Sequence, residues 1–195
     1  MESAGLVAEE GHHMCSRARG WLAAAVHGDV GSSHRSRPLT EQLLLDSDLV
    51  LVATLRQRKL VASMAPGVIA RLFTCREAAL LAGHVGSHRG DSLLRLATHD
   101  DAVTAFVRDI AGLRGTVRFP TLDEYADYVD ARSSVRRRHW WSRPGGEAMP
   151  HVSPYDIPDA HTCGHGDHEP TFAVLGPAAR EVAGQLAVYV AAVAA

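Results

Sequence analysis

Lysine is almost missing from this chain. Lys59 stands alone against 19 arginines, and acidic residues outnumber basic ones by 22 to 20, for a formal net charge of -2. The sequence thus lacks the basic excess with which nucleic-acid binders neutralise phosphates, and nucleic acid is not the expected partner. Cysteine is scarce too. Cys15, Cys75 and Cys163 are odd in number and form no C-x-x-C pair, which argues against an extracellular disulfide framework and makes a reducing cytoplasm the expected location. The longest apolar run, residues 186–195, falls far short of the roughly 18 to 20 residues that cross a bilayer, so no membrane partner is expected. No basic stretch followed by an apolar one opens the sequence, and no secretory signal is read there. Aromatics make up only 6%, but hydrophobic residues reach 46% and charged residues 22%, which excludes wholesale disorder. At 195 residues the chain has room for one ordinary domain, or one with a sizeable insertion.

Strand and helix patterns alternate over the first 86 residues. Residues 12–26 place Met14, Ala18, Trp21, Leu22 and Ala25 on one helical face. Pro38 is expected to open a short helix over residues 39–45. Residues 48–53 read as an apolar run of the kind a parallel strand buried on both faces shows. A helix over residues 55–64 meets Pro66-Gly67, and Thr74-Cys75-Arg76-Glu77 is a capping box opening the next helix. Glycine, serine and histidine then cluster as a linker. Residues 87–150 read as an insertion with a helix over 100–113, a second one opened by the capping box Thr121-Leu122-Asp123-Glu124, and a basic loop from 133 to 150. Residues 151–195 hold Asp156-Ile157-Pro158-Asp159, a histidine-rich stretch and a last helix from about Pro170, where Pro177 marks an expected kink or split.

Several separated pieces resemble, in order and spacing, the bacterial low-molecular-weight protein tyrosine phosphatases. Ser3-Ala4-Gly5 is similar to that family's S-A-G, and His34-Arg35-Ser36-Arg37-Pro38-Leu39-Thr40 to its H-x-[AS]-R-x-L-t segment. Asp48-Leu49-Val50-Leu51-Val52 resembles its A-D-L-V-L-V strand, and Pro66 through Leu80 its P-e-x-x-x-r-x-F-x-L-r-E. Asp156-Ile157-Pro158-Asp159 resembles its D-I-P-D-P-Y loop, with Ala160 and His161 in place of Pro-Tyr. The resemblance implies a three-layer α/β/α fold with a short parallel sheet, the helical insertion lying between the third and fourth family strands. It also implies hydrolysis of phosphotyrosine protein or a small phosphomonoester through a cysteinyl-phosphate, with no metal or organic cofactor.

The family's first strand and its C-x5-R loop have no counterpart. That loop places a thiolate in a cradle of backbone N–H groups at a helix N-terminus. Six residues after Cys15, Cys75 and Cys163 come Trp21, Leu81 and Glu169, so no cysteine here takes its place. The expectation is a front-truncated member of the family, inactive by itself, or alternatively a noncatalytic module that recognises phosphorylated or acidic partners. By resemblance Asp159 is the general acid that protonates the leaving oxygen. Ser3 and His34 are similar to residues that support the phosphate loop, and Asp156 reads as a loop cap.

Two further clusters stand out. His161, Cys163, His165 and His168 put four zinc-type ligands in eight residues, but structural zinc sites usually draw on two separated pairs, and a polar loop is the preferred reading. Arg136-Arg137-Arg138-His139-Trp140-Trp141 joins a basic run to two tryptophans and is read as a solvated loop.

Overall fold

The computed structural model describes residues 2–25, 31–88, 93, 96–132, 153–159 and 168–193, and the chain divides into two compact units, Met1–Asp46 and Ser47–Ala195. In the first unit, residues 3–13 are tied to residues 34–39 by two isolated bridges, Gly5 with Pro38 in parallel and His13 with Arg35 antiparallel. Helix α1 is Ser16–Ala25 and α2 is Glu41–Leu45. Both begin later than the sequence suggests, for one reason: the bridges hold the preceding residues extended. His13 is paired with Arg35, so the helix starts only after Cys15, whose Sγ accepts the Ala18 amide at 3.4 Å. Pro38 is paired with Gly5, and Thr40 instead takes the N-cap, accepting from the Leu43 amide at 3.2 Å. Ala18, Trp21 and Leu22 are half-buried along one face of α1 while Arg17, Arg19 and Gly20 are exposed; Met14, also half-buried, precedes the helix, and the burial of Ala25 lies outside what is described.

The second unit is mixed α/β. Strand β1 (Val50–Val52) pairs in parallel with β2 (Leu72–Thr74) in the register Val50 to Leu72, Leu51 to Phe73, Val52 to Thr74. Between them run α3 (Leu55–Met64) and a 3-10 turn, Pro66–Arg71, that begins on the proline expected to stop the helix. The sheet has two strands among the described residues. Burial on both strand faces was expected for β1, but Leu51 is 40% exposed, so one face of this strand is open. Helix α4 (Cys75–His84) follows β2 directly. Both described strands precede residue 87.

Three helices build the main core: α4, α5 (His99–Gly112) and α7 (Glu169–Val193). Leu81, Ala82 and Val85 meet Phe106, Ile110 and Leu113 of the middle segment and Val182 and Tyr189 of the last helix. Each fully buried large side chain contributes on the order of 2 to 3 kcal/mol of transfer free energy. Phe106 and Tyr189 pack edge to face, ring centroids 5.5 Å apart at 71°, and the Tyr189 hydroxyl donates to Asp109 at 2.7 Å, so the buried phenol is satisfied. Helix α7 runs through Pro177 as one element, without the expected split. Helix α6 (Leu122–Asp130) belongs to a second cluster, in which Tyr125 and Val129 meet Ile157 and Val174. No helix among the described residues is long and apolar enough to cross a membrane.

Candidate functional site

The ends of β1 and β2 set the geometry. Both strands pass straight into helices through capping boxes, Thr54 with Gln57 and Thr74 with Glu77, so two helix N-termini open at the carboxyl ends of two parallel strands. In open α/β sheets this is where ligands are held. The Thr54 box was legible as T-x-x-Q and the sequence reading missed it; the Thr74 box was read.

The segment 153–159 is seated on these strand ends. The Ile157 amide donates to the Ala53 carbonyl at 2.8 Å, continuing the chain end of β1, and the Leu55 amide donates to Asp156 Oδ1 at 2.7 Å. The Asp156 amide closes a turn on the Ser153 carbonyl at 2.9 Å. Beneath, the Tyr125 hydroxyl donates to the Asp156 carbonyl and the Arg76 Nε to the Pro154 carbonyl. The Arg76 guanidinium lies 3.6 Å from the Tyr125 ring centroid and 5.4 Å from that of Tyr128. Downstream, the Thr171 hydroxyl donates to the Pro158 carbonyl at 2.6 Å. Five separate contacts therefore fix this short loop.

Electrostatics follows from this seating. Burial lifts the Asp156 carboxyl above its ordinary value of 3.8, with the Leu55 and Ser153 backbone pulling the other way. Burial lowers the Arg76 pKa, and the Tyr125 and Tyr128 hydroxyls oppose it. Burial pushes the Cys75 thiol from 9.0 up to about 11, so at neutral pH it is a protonated, poor nucleophile although it stands at the first turn of α4.

Of the residues singled out from the sequence, Asp156 and Asp159 share the seated loop, Asp156 half-buried against α3 and Asp159 exposed. Ser3 and His34 lie in the other unit, where bridge pairing joins their segments: the exposed Ser3 gives its carbonyl to Arg37 Nε at 2.9 Å, and the His34 carbonyl accepts from Arg35 at 2.9 Å. His161, Cys163 and His165 lie outside the described residues, as does the basic run from Arg136 to Trp141. His168 stacks on Phe172 at 5.9 Å, and no group of three or more metal-type ligands is assembled among the described residues.

A second polar cluster was missed from the sequence. The Glu77 carboxylate, only 6% exposed, pairs with Arg58 at 3.2 Å and Arg114 at 3.1 Å, bringing together α3, α4 and the turn after α5. Glu77 was legible only as a capping residue; nothing local marks its partners, 19 and 37 residues away. Comparison with family models, with curated proteins and with solved structures returns no match for this chain.

Proposed function

We propose that residues 153–159 are the acid loop of a phosphomonoester hydrolase of the low-molecular-weight tyrosine phosphatase type, with Asp159 as the general acid. The observation that supports this best is the seat of the loop across the carboxyl ends of β1 and β2, held through Asp156 Oδ1 on the Leu55 amide and the Ile157 amide on Ala53. Asp156 is spent on that anchor. Asp159, three residues on and exposed, holds the position that resembles the general acid of that family. The reaction transfers a phosphoryl group from a phosphotyrosine or small aryl phosphate to a thiolate, Asp159 giving its proton to the departing oxygen, and water then releases phosphate. For Ser3 and His34, in the first unit, the supporting role toward a phosphate-binding loop comes from the resemblance of their motifs alone. No metal or organic cofactor enters this chemistry.

These 195 residues supply no nucleophile: none of the three cysteines has an arginine six residues on, and Cys75 is held protonated. The alternative reading of the chain by itself is a noncatalytic module that recognises phosphorylated or acidic partners. The test is assay of p-nitrophenyl phosphate hydrolysis by the chain alone and by a fusion carrying the strand, C-x5-R loop and helix of a low-molecular-weight phosphatase. Activity in the fusion only is expected. Cysteine-dependent turnover by the chain alone, or a folded but inactive fusion, contradicts the reading.

A further inference from the structure

Phe119 and Tyr155 stack face to face, ring centroids 3.8 Å apart at 19°. The pair lines a cavity of about 420 Å³ that Arg58, Glu77 and Arg114 also line, with Leu81 and Val117 adding apolar surface. This size and mixture suit a small-molecule site.

Charge in the cavity does not balance: two guanidiniums meet one carboxylate. Glu77 is saturated. Its Oε1 accepts from Arg114 Nε at 3.1 Å and Arg58 Nη1 at 3.3 Å, and its Oε2 from the Thr74 amide at 3.3 Å. Arg114 is also committed, giving Nη1 to the Ile69 carbonyl at 3.2 Å and Nη2 to that of Leu72 while covering the Phe73 ring at 3.9 Å. Burial lowers its pKa, Glu77 opposes this, and the like charge of Arg58 adds to it. Arg58 differs. Its hydrogen bonding and ion pairing run from Nη1 to Glu77 alone, so the Nε and Nη2 edge of its fork meets no partner among the described residues. Anchored at one end and open along the other, this is the geometry that takes a carboxylate or phosphate through two parallel hydrogen bonds.

We propose that this cavity binds a small aromatic anion, an aryl carboxylate or aryl phosphate, with its charged head on the open edge of Arg58 and its ring against Phe119 and Tyr155. Neither Asp159 nor a phosphate-binding loop is needed for it. Calorimetric titration of the 195-residue chain with benzoate, phenyl phosphate, acetate and benzamide tests it. Benzoate or phenyl phosphate should bind, the tighter one identifying the head group, and both acetate, which lacks the ring, and benzamide, which lacks the charge, should be at least tenfold weaker. Arg58→Gln should weaken binding by roughly tenfold or more, as expected for losing hydrogen bonds to a charged group, and Phe119→Leu by less. Circular dichroism checks each variant; should Arg58→Gln fail to fold, Arg58→Lys, which keeps the charge but not the fork, replaces it. Benzamide binding as tightly as benzoate, or aryl anions binding a folded Arg58 variant as tightly as the parent, overturns the proposal.

Discussion

The Asp156 carboxylate accepts the Leu55 amide at 2.7 Å across 101 residues of sequence, and so caps α3 from a loop far down the chain. Replacing Asp156 with alanine leaves that amide without its acceptor and should cost about 1 to 3 kcal/mol, read by chemical denaturation. Asparagine keeps an acceptor oxygen and should cost less. An alanine variant as stable as the parent would mean that the cap contributes nothing.

The same carboxyl gives a pH signature. Its folded-state pKa is raised above the unfolded value of about 3.9. The neutral form is therefore favoured in the fold: its stabilising contribution is fully present below that pH and is lost as pH rises through the raised value. The melting temperature of Asp156→Asn should gain on the parent as pH goes from about 4 to 7. An Asp156→Asn variant that instead falls further behind the parent over that range would contradict the burial argument.

Glu77 neutralises two partly buried guanidiniums and caps α4. Glu77→Ala should destabilise by about 3 kcal/mol, the low end for breaking a buried pair because both arginines keep roughly a quarter of their side-chain surface. Urea midpoints measure it. A loss below about 1 kcal/mol would place the triad among ordinary surface pairs.

Cys75 should alkylate slowly. A rise from 9.0 to about 11 lowers the thiolate population at neutral pH roughly a hundredfold. Mass-spectrometric mapping after iodoacetamide at pH 7.5 should show Cys75 protected in the folded chain and modified in urea. Rapid labelling of the folded chain would show that the first turn of α4 is open.

What the sequence made legible was local. The boxes at Thr74 and Thr121 bind within four residues, so a three-residue spacing reveals them and the helices they start. β2 escaped because Leu72, Phe73 and Thr74 are three buried residues with no alternation to read. The open face of Leu51 depends on what covers the sheet, which no run of apolar residues states. The late start of α1 and α2 was hidden for a similar reason, since the bridges of Gly5 and His13 reach across more than 20 residues. At the loop, Asp156 and Asp159 were visible as chemistry, but the five contacts that hold them are nonlocal, and so is the sharing of Glu77 between Arg58 and Arg114.

Leaving-group dependence in the fusion that carries a C-x5-R loop is the most direct test that Asp159 is a general acid. Turnover of a series of aryl phosphates by the parent fusion, Asp159→Asn and Asp156→Asn should separate the two carboxyls. Asp159→Asn should lower kcat by about 10² to 10⁴-fold for poor leaving groups, with little change in KM, and progressively less as leaving-group pKa falls. Asp156→Asn should cost far less, uniformly across the series. Equal losses for the two variants, or a silent Asp159→Asn in an active fusion, would contradict the assignment.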